Sequence, residues 1–234
     1  MFSVLFPFII AVQFIIYTMM LLKKFLDEYK LADEQKYKNI CLYNTLVLEW
    51  NSKVNVISRK NTSIENIVLN SIFFLTKYNI NPKAKVLDVG TGGGFPGIPL
   101  KILYPNINIT LCDSIQKKIN VVDDIIKSMK LKDAKAVCCR AEELKKDNNH
   151  FRAYDCIVSK SVAPLSDLYK WGKDLLNQDG LFLCIKGGDM SDEIRDITKL
   201  NKNIETEMLE YIFPKEYNIE DKKLVLIKTK QIVI

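Results

Sequence analysis

An alternation of short apolar runs with amphipathic stretches begins at Lys83 and continues to Lys186. The runs at residues 85–89, 108–112, 135–139, 155–159 and 181–186 have the length and β-branched content of strands. Helix-length segments follow all but the last of them. This alternation builds βαβ units, which predicts a parallel sheet covered on both faces. The tail departs from the pattern. Residues 207–213 and 222–230 read as two further strands, and the polar turn 214–221 between them is too short for a helical crossover, so they should pair antiparallel. With 234 residues, 48% of them hydrophobic, the chain fills one such core plus a small extension. The apolar content excludes a disordered protein.

Ahead of the alternation the periodicity is helical. Leu22, Phe25, Leu26 and Tyr29 share one face, as do Tyr43, Leu46, Val47 and Trp50. A third helix is predicted from Thr62, which would cap it while Glu65 reaches back. Its stripe is Ile64, Ile67, Val68, Ser71, Ile72 and Leu75, and it stops before Asn81-Pro82. Residues 19–82 are therefore expected to form a helical cap, and residues 83–234 the sheet domain. Residues 1–22 carry no charge, the first being Lys23 and Lys24. Such a run is long enough for a membrane anchor. A cleavable signal fits poorly, because no positive residue precedes it and no small-x-small site follows. The third reading is a true start at Met19 or Met20.

The strongest local signal is the segment 86–97, Val-Leu-Asp-Val-Gly-Thr-Gly-Gly-Gly-Phe-Pro-Gly, which leaves the first strand and opens a helix. Gly90, Gly92 and Gly94 let the backbone turn sharply and approach a ligand. Pro96 suits a first helical turn, where its missing N–H costs nothing. The loop predicts a bound cofactor. On the motif alone a dinucleotide also fits, since Gly92-x-Gly94-x-x-Gly97 satisfies that fingerprint. Three observations count against it: the turn starts at Gly90, with Phe95 where the third glycine would stand; Asp88 ends the first strand; and the tail is antiparallel. No P-loop motif is present. Asp113, closing the second strand, is placed to accept both hydroxyls of a ribose.

Six cysteines, at 41, 112, 138, 139, 156 and 184, form no C-x-x-C pair, and His150 is the single histidine, in a polar loop. Metal-ligand spacing is absent. Cys112, Cys156, Cys184 and one of the pair at 138 and 139 are expected to be buried apolar residues of a reducing compartment.

Taken together these residues resemble the class I S-adenosylmethionine-dependent methyltransferases, and more narrowly the RsmG (GidB) family of 16S ribosomal RNA guanine-N7 methyltransferases. The resemblance runs from about Tyr43 to Gly188. It rests on Glu49 to Asn55, the glycine loop with Ile98-Pro99-Leu100, Asp113-Ser114 with Lys117-Lys118, Arg140 to Glu143, Ser159 to Ala163, and Lys186-Gly187-Gly188. It implies an α/β Rossmann-like fold: a mostly parallel seven-stranded sheet with an antiparallel C-terminal strand, preceded by an N-terminal helical cap. It also implies S-adenosyl-L-methionine as cofactor. Gly90, Gly92, Gly94 and Phe95 would then hold its methionine and ribose side, Asp113 the ribose hydroxyls, Ser114 and Ile115 the adenine faces, and Ala141 and Glu142 the adenine edge. Lys160, the implied catalytic residue, would also touch the cofactor next to the methyl group and target base. The implied partner is 16S rRNA or the small ribosomal subunit, met by a cytoplasmic monomer that uses no metal and makes no membrane contact. The family's helical cap would begin near Met19 or Met20, which favours a start there and leaves residues 1–18 as an unmatched extension. Two departures stand out. The family usually has arginine at position 160, and relatives carry His and Asp or His where this chain has Ile67 and Asn70.

Guanine N7 is already nucleophilic and has no proton to lose, so its methylation needs positioning more than a base. The chain lacks the Asp/Asn-Pro-Pro-aromatic motif of exocyclic amine methylation, a Pro-Cys nucleophile and any credible Ser-His-Asp set. The net charge of +6 permits a polyanionic partner. Lys53, Arg59, Lys60, Lys117, Lys118, Lys160 and Lys186 are candidate phosphate contacts, with Lys160 and Lys186 favoured by their places at strand ends. Trp50 could stack on a base or belong to the core. The rival readings are a class I methyltransferase of another substrate and a ribosome-associated binding protein without catalysis.

Overall fold

The computed structural model describes residues 19–57, 63–219 and 221–229. Three helices come first: α1 (Met20–Glu28), α2 (Glu34–Asn51) and α3 (Ile64–Ile72), the last continuing into a 3-10 turn at Phe73–Thr76. The alternating part follows as β1 (Lys85–Val89), α4 (Gly97–Leu103), β2 (Asn108–Asp113), α5 (Gln116–Ser128) and β3 (Ala134–Cys138). A 3-10 turn at Ala141–Lys146 leads to β4 (Tyr154–Lys160), α6 (Leu165–Gly172), β5 (Leu176–Gly187), α7 (Ser191–Leu200), β6 (Ile204–Glu210) and β7 (Lys222–Thr229).

The seven strands form one sheet in the order β3-β2-β1-β4-β5-β7-β6. The first five pair parallel, while β7 runs antiparallel to both β5 and β6. Strand order reverses at β1, so β1 and β4 lie side by side at the switch point, Asp88 opposite Val158. Ligands of open α/β sheets bind at the carboxyl ends of the strands at this place.

Side chains alternate across each central strand and divide the core in two. Val86, Ile109, Leu111, Val158, Leu183, Ile185, Leu224 and Leu226 face the cluster that also holds Phe25, Ile40, Tyr43, Val47, Leu69 and Phe73, so α1, α2 and α3 share a core with one sheet face. Leu87, Val89, Cys112, Ile157, Phe182, Cys184 and Val225 meet Leu165, Leu168, Tyr169 and Ile197 of α6 and α7 on the other. Among the described residues no helix is long and apolar enough to cross a membrane. The apolar segment 1–18 lies outside them.

Local chemistry departs from the sequence reading in three places. Ser63, not Thr62, caps α3: its backbone is extended and its hydroxyl accepts from Asn66 N at 3.1 Å. Thr62 lies outside the described residues, and Glu65 instead accepts from Leu22 N at 2.7 Å, tying α3 to α1. His150 lies in the loop expected for it but is buried there; its Nδ1 meets the Tyr154 hydroxyl, which donates to Thr110 at 3.1 Å. Burial, then Lys135, push its pKa down. Neither Cys138 nor Cys139 is a core residue, because β3 is the sheet edge; Cys41, Cys112, Cys156 and Cys184 are buried.

Candidate active site

The loop after β1 is shaped by Asp88. Fully buried, its Oδ2 accepts from Thr91 Oγ1 at 2.6 Å and Gly97 N at 2.9 Å, closing the loop onto the start of α4. Gly90, Gly92 and Gly94 all have positive φ, where a Cβ is strained. A Cβ at Gly90 would also lie 2.7 Å from the Val162 side chain. Backbone thus lies bare along the loop, and Gly92 N donates to Asp113 Oδ2 at 3.0 Å while Ile115 N donates to Oδ1 at 3.0 Å. Asp113 is therefore fixed in orientation, and each of its oxygens keeps lone-pair capacity for a ligand.

Burial raises the Asp88 carboxyl to about 7, against the opposing pull of its hydrogen bonds and of Lys160. Its Oδ1 is buried without a hydrogen-bond partner. The folded carboxyl thus keeps its proton up to about 7, while the unfolded chain releases it near 3.8. Folding takes up a proton between those values, so the stability Asp88 supplies in acid is lost as pH rises through 7. Asp88→Asn keeps an acceptor for Thr91 and Gly97 and cannot ionise. Its thermal midpoint should vary less than that of the wild type between pH 4 and 7; parallel midpoint curves would contradict the assignment.

Two adjoining cavities of about 360 Å³ each open at the carboxyl ends of the strands. The groove over β1, β2 and β3 is walled by Gly90, Asp113, Ser114, Lys118, Ala141, Glu142 and Trp171. The second, towards the cap, is walled by Val56, Ile57, Ile67, Asn70, Phe95 and Lys222. Gly90, Lys160 and Ser161 line both. Lys160, half-buried at the end of β4, stands at the junction. Burial lowers its pKa, with the Asp88 carboxylate acting against the shift and Lys222 adding to it. Ser161 just beyond it has φ 52°, a strained turn held by its N–H donating to Ile185 O at 3.0 Å.

Of the residues the sequence singled out, Gly90, Asp113, Ser114, Ala141, Glu142 and Lys160 meet in the first groove. Gly92 and Phe95 line the second cavity instead, Phe95 tilted against Tyr43 with ring centres 5.2 Å apart. Gly94 packs beneath the loop against Ile98 and Tyr43, and Ile115 stands 47% exposed beside the groove rather than in its wall. Lys186 is no free phosphate ligand: it is buried, pairs with Glu193 at 2.8 Å and donates to Ala163 O at 3.0 Å. Trp50 donates to Asp124 at 2.9 Å under the Lys53 ammonium, a packing role. Arg59 and Lys60 lie outside the described residues. Trp171 and Lys222 are wall residues that sequence reading missed, and Asn51, quoted in the Glu49 to Asn55 motif without a role, braces the second wall by its Oδ1 accepting from Val56 N and Ile57 N. Among the described residues no group of His, Cys, Asp or Glu side chains could hold a metal ion.

Comparison with known proteins decides the lineage. The profile of GidB, rRNA small subunit methyltransferase G, matches residues 36–224. The chain belongs to the GidB family. A curated relative named ribosomal RNA small subunit methyltransferase G, from Phocaeicola vulgatus, is 41% identical over 172 residues, covering 70% of this chain and 78% of its own. The protein of the same name from Bacteroides thetaiotaomicron is 39% identical over 207 residues, covering 81% and 94%. The GidB match runs on through α7 and β6 into β7, well past Gly188 where the sequence resemblance ends. Solved structures share the fold at low identity. An O-methyltransferase from Bacillus cereus in complex with SAH aligns with a TM-score of 0.56 at 13% identity, covering 92% of this chain and all of that one. Precorrin-6y C5,15-methyltransferase from Geobacter metallireducens aligns at 0.52 and 15%, covering 74% and 93%. The fold is that of the class I methyltransferases.

Proposed function

We propose that this chain transfers a methyl group from S-adenosyl-L-methionine to N7 of one guanine in 16S ribosomal RNA. The observation that carries the reading is the junction at Lys160, where a groove suited to a nucleoside meets a second cavity large enough for a base. GidB membership and relatives named for the small-subunit RNA support the substrate. The residues present suit the cofactor: a loop of bare backbone that a Cβ at Gly90 would obstruct, a fixed carboxylate with free lone pairs for ribose hydroxyls, and acceptor and backbone groups at Ala141 and Glu142 for an adenine edge.

Bound there, the cofactor supplies an electrophilic sulfonium methyl. The chain's task is then placement. Asp113 would orient the ribose, with Ser114 and Ile115 beside the adenine and Ala141 with Glu142 at its edge. Gly90 would let the methionine end reach the junction, and Gly92, Gly94 and Phe95 hold the loop and the partition. Lys160 would hold the target nucleotide on the far side. N7 has no proton to remove, so no general base is required, which agrees with a junction that holds one ammonium and no histidine. The bases of ribosomal RNA would meet apolar walls at Val56, Ile57 and Ile67, and phosphates the exposed Lys53 and Lys117.

The test is a map of N7-methylguanosine in 16S RNA from cells with and without the gene, joined to methyl transfer by the purified chain onto small subunits from the mutant. One guanine should lose its mark and regain it. An unchanged map would overturn the RNA reading while leaving the cofactor reading to calorimetry with S-adenosylhomocysteine.

A further inference from the structure

We infer that Trp171 is a cofactor-binding residue, the aromatic wall against which the adenine of the cofactor rests; this builds on the cofactor reading above. The argument starts with α6. Its buried stripe is Leu165, Leu168, Tyr169 and Gly172, the i, i+3, i+4, i+7 spacing of a helix pressed onto a sheet. Trp171 is off that stripe, on its flank, half-buried. A large indole there needs a second surface to cover it.

Both ends of α6 are fixed, so the flank is a rigid platform. At the start, Glu193 Oε2 accepts from Leu165 N at 2.8 Å, and Lys186 bridges Glu193 to the Ala163 carbonyl. At the end, Gly172 lies so close to the sheet that a Cβ would meet Ile157 and Phe182 at 2.7 Å. Held this way, α6 packs beside the 3-10 turn that carries Ala141 and Glu142, and the indole lines the groove together with Cys139, Arg140, Ala141, Glu142 and Val162. It thus lines the same groove as Ala141 and Glu142, which follow β3, and Lys160, which ends β4.

A purine presents a flat apolar face with polar edges. Its edge would meet Ala141 and Glu142, and its face needs an apolar surface that does not compete for those hydrogen bonds. Trp171 is the one aromatic ring lining this groove among the described residues. Ile115, proposed above to lie beside the adenine, stands 47% exposed at the rim and is no part of the groove wall, so Trp171 is left as the wall's large apolar surface.

The chain has two tryptophans, and Trp50 lies outside both cavity walls, tied to Asp124. Titration of S-adenosylhomocysteine into the full chain, followed by tryptophan emission and by calorimetry, therefore separates them. Trp50→Phe should keep the emission change that accompanies binding, and Trp171→Phe should lose it while binding almost as tightly. Trp171→Leu should bind about tenfold more weakly, the scale of one base–aromatic stack. Circular dichroism of each variant reports folding, and the Trp171→Phe emission readout stands even where Trp171→Leu is unstable. Calorimetric binding with emission change confined to Trp50, or unchanged affinity in a folded Trp171→Leu, would overturn the assignment. Absence of heat from the wild type would overturn the cofactor reading and this one together.

Discussion

Replacing Asp113 with alanine should weaken binding of S-adenosylhomocysteine at least about 100-fold, measured by calorimetry. Two losses combine. The carboxylate is proposed to accept both ribose hydroxyls, and hydrogen bonds to a charged acceptor each contribute about 1.5–3 kcal/mol. It also restrains the backbone, since Gly92 N and Ile115 N both donate to it, so the glycine loop and the start of α5 lose a common anchor. Asp113→Asn separates these effects: one amide oxygen can hold a single backbone N–H, and the amide nitrogen repels the other. Its affinity should fall between those of the wild type and alanine. The thermal midpoint should fall as well, because Gly92 N and Ile115 N lose their acceptor; Lys118, 3.9 Å from Asp113 and partly solvated, adds little to that loss. A folded Asp113→Ala protein that binds within a factor of about three of the wild type would sink the proposed ribose contact.

The parallel half of the fold was legible because its signals are local. β1 spans residues 85–89 as its apolar run indicates, and a single antiparallel strand, β7, follows from the short turn before it. The boundaries that moved were set by distant partners. The run 207–213 gives a strand ending at Glu210, because Tyr211 and Phe213 stack on each other and close over Phe73, the Tyr211 hydroxyl donating to Phe74 O at 3.2 Å. β5 starts at Leu176, ahead of the expected 181–186, since Leu176 pairs with Tyr154 before the register shifts and Leu181 pairs with Cys156, leaving residues 177–180 as extra residues of β5.

The candidate site divides in the same way. Glycines, Asp88 and Asp113 carry their meaning in spacing along the chain, so their meeting place could be read directly. Lys186 and Trp171 carry theirs in contacts across the fold. Glu193 turns a cation at a strand end into a buried tie-rod, and the packing of α6 turns a flanking tryptophan into a groove wall. No periodicity announces either. The cavity beyond Lys160 is equally nonlocal: its walls come from the α2–α3 connection, α3, the glycine loop, β5 and β7.

Lys160→Ala should lower kcat for small-subunit methylation by about 10²–10³-fold, the scale of one preorganised charged contact, with S-adenosylhomocysteine affinity nearly unchanged. Charge flow limits what Lys160 can do. In the proposed transfer the bond from N7 to the methyl would form as the sulfur–methyl bond breaks, leaving the positive charge on the purine, so an ammonium donating to N7 would block the lone pair and oppose the product. In the proposed reaction Lys160 would contact the nucleotide elsewhere, at O6 or a phosphate oxygen, and act by placing N7 in line with the methyl. The surroundings fit that task. Burial lowers the Lys160 pKa and the Asp88 carboxyl counters the shift once it ionises, while among the described residues Lys160, which lines both cavities, has no close ion pair. Lys160→Arg keeps the charge and widens the donor fork, so it should retain most of the activity. Lys160→Met keeps the bulk without the charge and should behave like alanine. Equal losses of turnover and cofactor affinity in Lys160→Met would mean that the residue serves the cofactor groove and not the nucleotide.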